Sequence, residues 1–274
     1  MRARLPKASL PEPLARALSR AKRQPVLAAL AALLVVALVF AALPVLDLAV
    51  SRAFWADGAF VGTSDGTARF VRNFARIVEA LVALAVGLPL VFKLVWPESR
   101  LLIAPRIPLF LYAVFALGPG LIVNGILKAH SGRPRPRHLA EFGGDALFAR
   151  VGDFSGSCLS NCSFVSGEAA SAFWLVALVF VVPKAWRAPV LLASILLAAA
   201  ASWSRVAMGG HFLSDVLIAW LVTLLVMLLV KEPVLRRFQP ALDRAIEAGI
   251  ARLGRFLRYL LWKAGRAREK RRAA

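Results

Sequence analysis

Runs of apolar residues long enough to cross a lipid bilayer dominate this sequence and restrict the folds that it can adopt. A hydrocarbon core about 30 Å thick requires roughly 20 predominantly apolar residues per transmembrane helix. Runs of about that length occur near residues 26–48, 77–96, 107–127, 170–186, 188–203 and 213–230. Hydrophobic residues make up 59% of the 274 residues, and the mean hydropathy is +0.70, far above the range of soluble domains. The pattern predicts an integral membrane protein of the all-α class, a polytopic bundle of about six transmembrane helices.

The fourth and fifth runs are the shortest, and Pro183 and basic residues separate them. Such residues are typical of a tight turn at the headgroup level. We therefore expect six transmembrane helices, with five as the alternative. Most of the 35 Lys and Arg residues fall in segments that six helices and an inner N-terminus place in the cytoplasm. Both termini are thus predicted to be cytoplasmic, with residues 51–76 and 128–168 outside.

The two ends of the chain differ from its middle in composition and charge. Residues 1–25 form a basic segment, and the apolar run after it is too long for a cleavable signal peptide, so we expect an uncleaved anchor. Residues 26–232 contain the predicted membrane domain. Residues 233–274 form a basic tail with apolar residues at helical spacing, typical of an interfacial helix on an anionic lipid surface. The basic residues that give the net charge of +20 therefore lie mostly beside the apolar runs and in the C-terminal tail, and we expect no nucleic-acid partner. The sequence does not indicate an oligomeric state.

Cys158 and Cys162 are the only two cysteines, and both precede the fourth apolar run. In an oxidising compartment they could form a disulfide that holds a turn ahead of a helix beginning near Ser166, or they could stay as free thiols. Two cysteines are too few for a metal site, and no His, Asp or Glu cluster with ligand spacing surrounds them. We therefore expect no metal and no other cofactor.

Three short polar segments adjoin these apolar runs, and together they predict one site at the outer membrane surface. The first is KAHSGRPRP, in which Lys128 ends the third run and Arg133 and Arg135 follow between prolines. Proline prevents a regular helix here, so we expect the guanidinium groups to point outward. Snorkelling toward lipid headgroups explains Lys128 by itself. Four cations at an outer face, with Arg137 as the fourth, favour an anion site.

The second segment places small residues at the start of the fourth run. Ser166 and Gly167 precede that run, and a free helix N-terminus there presents backbone N–H groups to an anion. Glu168 in the first turn could be an ordinary helix-dipole residue. A carboxylate beside a phosphate would be repelled unless it were protonated, so a functional Glu168 implies a protonated carboxyl and a proton-donor role.

The third segment is SRVAMGGHFLSD, between the fifth and sixth runs. Arg205 ends the fifth run, and Gly209 and Gly210 form a turn. His211 then opens the sixth run, with Asp215 four residues later. Residues i and i+4 share a helix face, so Asp215 is expected to hydrogen-bond one imidazole nitrogen and leave the other as a nucleophile. A lone interfacial histidine is more often structural, but an aspartate in a membrane usually has a partner.

The three segments together resemble the type 2 phosphatidic acid phosphatase (PAP2) superfamily over residues 128–215, and the first and third match in residue and spacing. The resemblance implies a metal-independent phosphatase or pyrophosphatase that acts on membrane lipids through a phosphohistidine intermediate. His211 would attack phosphorus and Asp215 would orient it. The phosphoryl oxygens would be bound by Lys128, Arg135, Arg205 and the amides of Ser166 and Gly167. Positive charge around a five-coordinate phosphorus is the stabilisation that this reaction needs.

The second segment departs from the family pattern, which usually reads Pro–Ser–Gly–His where this chain has Val165–Ser166–Gly167–Glu168. In the family that histidine protonates the leaving oxygen. Here Glu168, His130, His138 or a water molecule would have to replace it. The stretches GRPRPRHLAEFGG and NCSFVSGEAA resemble bacterial lipid A phosphatases more than phosphatidylglycerophosphate or undecaprenyl pyrophosphate phosphatases.

The sequence as a whole predicts a lipid phosphatase at the outer, periplasmic face of a bacterial inner membrane, with lipid A favoured as substrate. Undecaprenyl pyrophosphate, phosphatidylglycerophosphate and phosphoryl transfer between lipids are alternatives within this class. Outside it, a protein that binds or transports anionic lipid would use the same arginines but tolerate the loss of His211. Phe54, Trp55, Phe60 and Phe70, in the first outer loop, could anchor the membrane interface or pack around the site.

Overall fold

A computed structural model describes residues 19, 23–237 and 239–273, so the predicted segment 1–25 lies almost entirely outside the described residues. The described helices are α1 (Pro25–Ala42), α2 (Val45–Arg52), α3 (Val61–Ser64), α4 (Gly66–Val95), α5 (Arg106–His130), α6 (Gly167–Phe180), α7 (Arg187–Ala207), α8 (Leu213–Lys231) and α9 (Gln239–Ala273). Strands β1 (Trp55–Ala56) and β2 (Ala59–Phe60) pair antiparallel between α2 and α3. Single 3₁₀ turns occupy Pro136–His138, Ala140–Phe142 and Lys184–Trp186, and π-helical turns occupy Ala116–Leu127 of α5 and Glu232–Arg237 after α8.

Five of the described helices are long and apolar enough to cross a membrane, namely α1, α4, α5, α7 with the turn before it, and α8 with the turn after it. Helix α6 is apolar but shorter, with 8 α-helical and 6 3₁₀ residues. At 1.5 and 2.0 Å per residue its length is about 24 Å. It ends before Pro183, which has no N–H to continue a helix. The predicted class, a bundle of membrane helices, is confirmed, whereas the count of six spans and the side of each terminus stay predictions.

Helix α4 begins earlier than the hydropathy pattern predicted. The second span was expected at 77–96, but α4 begins at Gly66, where the Asp65 side chain accepts a hydrogen bond from the Thr67 amide (2.8 Å) and caps the helix. The first turns of α4 carry arginines, which the hydropathy pattern placed in an outer loop. This extension brings Arg72 to the polar end of the bundle.

Helix α6 lies in the centre of the bundle and packs against α5, α7 and α8. Its buried residues Ala169, Ala170 and Ala172 let the neighbouring helices approach closely. The buried indole of Trp174 donates its Nε1–H to the Leu111 carbonyl of α5 (2.7 Å). Because α6 is enclosed by protein, its first turn lies inside a ring formed by the loops at that end of the bundle.

These loops pack around a small aromatic cluster. The ring centroids of Trp55, Phe60 and Phe142 are 5.1 to 5.6 Å apart, and Phe60 is buried against the turn at Gly209. Trp55 and Phe60 therefore pack beside the site loops, the second of the two roles that the sequence left open. Phe70, by contrast, is 68% exposed on the outside of α4.

Helix α9 covers the opposite end of the bundle, which is the predicted inner end. Glu247 lies 3.3 Å from Lys93 of α4, and Asp243 forms an ion pair with Arg106 of α5. Farther along, α9 carries the exposed apolar side chains Phe256, Leu257, Leu260, Leu261 and Trp262. The predicted tail is thus helical over 239–273, and its binding to anionic lipid stays a prediction.

Candidate active site

Hydrogen bonds join the three polar segments singled out in the sequence. The bonds between segments run from Arg137 N to Gly209 O (3.1 Å), from Ser166 N to Asp215 O (3.1 Å) and from Arg135 Nη2 to Asn161 Oδ1 (2.8 Å). Residues far apart along the chain therefore form one site, at the end of the bundle where α6 and α8 begin. This convergence is what the predicted anion site required.

His211 lies in the turn between α7 and α8 and is 1% exposed. Its Nδ1 is 2.8 Å from the Ser163 carbonyl oxygen. Because a carbonyl only accepts, Nδ1 is the protonated nitrogen and Nε2 carries the free lone pair. The nearest Asp215 oxygen is 3.7 Å from Nδ1, beyond hydrogen-bond distance. The direct hydrogen bond expected between these two residues is therefore replaced by one to a backbone carbonyl, with the carboxylate alongside.

The imidazole of His211 is held neutral by its surroundings. Burial lowers the pKa of His211 to about 4, and the positive charges of Arg205 and Arg135 act in the same direction. The negative charge of Asp215 opposes this shift without cancelling it. A neutral ring with a free Nε2 is the form of histidine that can act as a nucleophile.

Asp215 occupies the third position of α8 and is fully buried. Its Oδ2 accepts hydrogen bonds from the Ser163 hydroxyl (2.5 Å) and the Phe212 amide (2.9 Å), and its Oδ1 accepts one from Arg133 Nη1 (2.7 Å). Arg133 is 1% exposed, so the expectation that it points outward with the other arginines of the first segment is wrong. It faces inward because two buried carboxylates, those of Asp47 and Asp215, accept hydrogen bonds from its guanidinium.

A group of three cations, Arg205, Arg135 and Lys128, lies near the His211 imidazole. Arg205 lies across the backbone of Gly210, where an added Cβ would be 2.6 Å from its Nη2. Within the described part of the chain the buried Nε of Arg205 has no hydrogen-bond partner, and its ion pair with Glu168 is 3.2 Å long. Lys128, at the end of α5, is within electrostatic range of Arg135 and Arg205. The Nε of Arg205 is therefore available to an anion, whereas Nε and Nη2 of Arg135 already donate to Asn161 and leave Nη1 for an anion.

The N-terminus of α6 faces the same region. The Ser166 hydroxyl caps the helix by accepting a hydrogen bond from the Ala169 amide (3.3 Å). Gly167 lies against Asn124 of α5, where a Cβ would be 2.5 Å from the side-chain oxygen. The first amides of a helix have no acceptor within the helix. The Ser166 amide, predicted to bind phosphate, already donates to the Asp215 carbonyl (3.1 Å). The amides of Gly167 and Glu168 are therefore the donors that this N-terminus can offer to an anion.

Glu168 is held between two arginines. Arg72 of α4 donates from Nη2 to Oε1 (2.6 Å) and from Nε to Oε2 (2.8 Å), and Arg205 lies 3.2 Å from Oε2. Two guanidinium groups favour the ionised carboxylate, whereas proton donation requires the protonated one. The geometry therefore favours Glu168 as a partner of Arg72 and Arg205 over the proton-donor role considered from the sequence.

The other two histidines differ in their access to the site. The Nδ1 of His130 lies against the Ile126 carbonyl (2.9 Å) of its own helix. His138 lines a cavity of about 450 Å³ together with Arg135 and Asn161. Burial, together with the charges of Arg137 and Arg135, lowers the pKa of His138. Of the two, His138 is the one whose ring shares a cavity with a phosphate-binding candidate.

Cys158 and Cys162 form a disulfide, one of the two states that the sequence left open, with Cα atoms 5.7 Å apart. The Cys158 amide donates to the Gly132 carbonyl (2.9 Å), and the Ser163 amide donates to the Arg133 carbonyl (2.8 Å). The bridge thus closes the turn directly before Ser163, whose carbonyl is the acceptor for His211. Across residues 19, 23–237 and 239–273 there is no group of three His, Cys, Asp or Glu side chains that could hold a metal ion.

Four residues contribute to the site without having been selected from the sequence, namely Asp47, Arg72, Asn161 and Ser163. Arg72 and Asp47 had a signal, since an arginine on the outer side and a carboxylate at the end of an apolar run are both unusual. Ser163 and Asn161 had none, because they act partly through backbone carbonyls, which every residue possesses.

Comparison with known proteins relates the chain to lipid phosphatases. Residues 109–238 match the PAP2 superfamily. A lipid A 4'-phosphatase of Rhizobium leguminosarum is 51% identical over 114 residues, which cover 40% of this chain and 47% of that protein. A protein of the same name from Francisella tularensis subsp. novicida is 34% identical over 181 residues, covering 65% of this chain and 81% of that protein. The match thus spans less than half the length of the Rhizobium relative and most of the Francisella one.

A solved structure has the same fold. The crystal structure of a PAP2-type phosphatidylglycerolphosphate phosphatase from Bacillus subtilis superposes with a TM-score of 0.52 at 19% identity, covering 75% of this chain and 94% of that one. At this identity the likeness concerns the fold alone. The match of residues 109–238 to the family and the extent of the Francisella match establish that the chain belongs to the PAP2 superfamily.

Proposed function

We propose that the protein is a metal-independent lipid phosphatase that removes a phosphate group from a lipid headgroup, with lipid A as the favoured substrate. The observation that carries this proposal is the contact of His211 Nδ1 with the Ser163 carbonyl (2.8 Å), which leaves the lone pair on Nε2, together with the Arg205 guanidinium that lies against the neighbouring Gly210. The choice of lipid A is supported by relatives named lipid A 4'-phosphatase.

The reaction proceeds in two displacements at phosphorus. Nε2 of His211 attacks, a P–N bond forms as the P–O bond to the lipid breaks, and the leaving oxygen takes a proton from a water molecule. Water then attacks the phosphohistidine and gives up a proton to the solvent, which restores the proton used in the first step. The P–N bond breaks, its electron pair returns to Nε2 of His211, and inorganic phosphate leaves. Lys128, Arg135, Arg205 and the first amides of α6 bind the phosphoryl oxygens and stabilise the charge of the five-coordinate phosphorus.

The site faces the periplasm, and the protein spans the inner membrane of a bacterium. The Cys158–Cys162 disulfide next to the site supports this placement, because disulfides persist in oxidising compartments. The basic helix α9 at the other end of the bundle also supports it, since basic segments stay on the cytoplasmic side. In this orientation a headgroup can enter the site while its acyl chains stay in the outer leaflet.

The test is phosphate release by the purified protein and its His211→Ala variant in EDTA, with lipid A, phosphatidylglycerophosphate, phosphatidic acid and undecaprenyl pyrophosphate as substrates. We expect release from lipid A by the wild type and a loss of at least about 10³-fold in the variant. Orthovanadate, which mimics five-coordinate phosphorus, should inhibit. Release from a different lipid would reassign the substrate. No release from any lipid, or equal release by both proteins, would support a lipid-binding protein instead.

A further inference from the structure

A buried carboxylate outside the three motifs is connected to the site. Asp47 lies on α2, before the region that matches the family, and is fully buried. Its Oδ1 accepts a hydrogen bond from the Ser214 amide (2.9 Å), and its Oδ2 accepts from the Ser214 hydroxyl (2.6 Å) and from Arg133 Nη2 (2.8 Å). Asp47 therefore binds both the first motif and the start of α8.

Arg133 is the centre of this connection. Besides Asp47, its guanidinium donates to the Ala149 carbonyl (2.8 Å), the Ser214 hydroxyl (2.8 Å) and Asp215 Oδ1 (2.7 Å). Its Cζ also lies 4.2 Å from the centroid of the Phe212 ring. A charge buried this completely is stable only when its donors are satisfied. The orientation of Arg133 is therefore fixed, and it fixes Asp215 in turn.

The hydrogen bonds continue from Asp215 to the nucleophile. Asp215 Oδ2 accepts from the Ser163 hydroxyl (2.5 Å), and the Ser163 carbonyl accepts from His211 Nδ1 (2.8 Å). Hydrogen bonds thus run from Asp47 through Arg133, Asp215 and Ser163 to His211. The hydrogen-bond partners given above for Asp47 and Arg133 are each other, Ser214, Asp215 and the Ala149 carbonyl. The phosphate-binding candidates Lys128, Arg135 and Arg205 are not among these partners.

We propose that Asp47 and Arg133 are positioning residues that orient the His211 imidazole by holding Asp215 and Ser163. This inference rests on the proposed function of His211 as the nucleophile. An attacking atom displaced by about 1 Å can cost roughly 100-fold in rate, and a buried network holds its members in place only when every member is satisfied. Loss of the Asp47 charge should therefore affect the chemical step and leave phosphate binding intact.

The kinetic test compares Asp47→Asn and Ser214→Ala with the wild type on the lipid that the wild type hydrolyses. Asp65→Asn is the matched control, because it makes the same chemical change at an exposed helix cap. We expect kcat to fall about 10- to 100-fold in Asp47→Asn and about 3- to 10-fold in Ser214→Ala. KM and the orthovanadate inhibition constant should stay within about twofold, and Asp65→Asn should match the wild type.

A folded Asp47→Asn protein with wild-type kcat would overturn the proposal, and so would an equal loss of kcat and of vanadate affinity, which indicates general disruption of the site. If Asp47→Asn does not fold, Ser214→Ala replaces it: wild-type kcat in Ser214→Ala, or an equal loss of kcat and of vanadate affinity, would overturn the proposal. A wild type that hydrolyses no lipid would refute the proposed function before any variant is compared.

A second measurement needs no substrate. The chain contains 3 histidines, so their imidazole resonances can be assigned in ¹⁵N-histidine-labelled protein by NMR. We expect the Nδ1–H signal of His211, which arises from the bond to Ser163, to shift or broaden in Asp47→Asn and Ser214→Ala and to be unchanged in Asp65→Asn. An unchanged His211 signal in both network variants would overturn the positioning role even if phosphate release had not been detected.

Discussion

Arginine partners distinguish the two carboxylates of the site. Asp215 is bonded to Arg133 in the protein interior. Glu168 is bonded to Arg72 and also contacts Arg205, which has an unused buried N–H. A phosphate that reaches Arg205 would therefore meet a guanidinium already oriented by Glu168. The two carboxylates thus contact different groups, Asp215 the surroundings of the proposed nucleophile and Glu168 one of the proposed phosphate-binding cations.

Glu168→Gln tests which role this carboxylate has. An ionised carboxylate between two arginines has no proton to donate, so we expect the variant to retain turnover within about tenfold of the wild type. The remaining loss should come from the weaker hold on Arg205. Single-turnover phosphate release measures it, with Glu141→Gln, which removes an exposed carboxylate paired with Arg52, as the control. A loss of roughly 10²-fold or more would instead assign proton donation to Glu168.

The acid limb of the pH–rate profile tests the environment of His211. Protonation below its pKa removes the lone pair of Nε2, so kcat should fall as the pH falls through the pKa. Burial lowers that pKa to about 4, and we therefore expect kcat to be nearly constant from about pH 7 to about pH 5 and to decrease below that. An acid limb centred near pH 6.5, the ordinary value for histidine, would show that the ring is more exposed to water than the structure indicates.

At the scale of elements, a tight turn and a closed loop hold the ends of three helices together. The turn between α7 and α8 has Gly209 at a φ of 59°, with its carbonyl bonded to the Arg137 amide. The next residue, Gly210, allows the Arg205 guanidinium to lie over the backbone. On the other side, the disulfide loop contributes Asn161 and Ser163 as acceptors for Arg135 and His211. Neither element is long, but each determines where a functional group points.

Gly210→Ala tests the turn. The added Cβ would lie 2.6 Å from Nη2 and 3.0 Å from Cζ of Arg205, so the guanidinium must move away from the anion position. We expect kcat/KM to fall about 10- to 100-fold, with weaker inhibition by orthovanadate. Gly66→Ala is the control, because a Cβ there would meet nothing within 4 Å. Wild-type kinetics in Gly210→Ala would mean that Arg205 does not bind phosphate from this position.

At the scale of the whole molecule, the polar groups are divided between the two ends of the helical bundle. One end holds the site and its loops, and the other holds α9 with its ion pairs to α4 and α5. The central position of α6 explains how a helix of about 24 Å fits between these ends, since protein rather than lipid surrounds it. An active site at one end and a basic helix at the other is the arrangement expected of an enzyme that takes a lipid from one leaflet.

Labelling of single introduced cysteines tests this arrangement. Leu147 in the site loops and Leu261 in α9 are 81% and 73% exposed, and the two native cysteines are bonded to each other. We expect a membrane-impermeant maleimide to label Leu147→Cys in intact cells and to label Leu261→Cys only after the membrane is permeabilised. Labelling of both positions from outside would contradict the predicted orientation, while the reverse pattern would place the site in the cytoplasm.

Properties of contiguous residues were readable from the sequence alone. Hydropathy predicted the class of fold, because lipid requires long apolar helices. The clustered cations of the first segment indicated an anion site, the spacing of His211 and Asp215 indicated a nucleophile, and the resemblance to the PAP2 superfamily implied that the anion is a phosphate group. Helix α4 shows the limit of this approach, since the arginines in its first turns lowered the local hydropathy and concealed eleven helical residues before the predicted start at 77.

Only the tertiary structure decided which partners the functional groups have. Asp47 and Ser214 are 167 residues apart in sequence, and Arg72 and Glu168 are 96 apart. Such pairs depend on how helices pack and not on any local pattern. Neighbouring groups then determined two of these contacts. Arg133 points inward because two buried carboxylates, Asp47 and Asp215, accept its hydrogen bonds. His211 bonds to a backbone carbonyl because Asp215 already accepts hydrogen bonds from Ser163 and Arg133. The sequence alone determined which chemical groups are present and that the chain is a membrane protein, and the packing of the helices determined which of these groups meet.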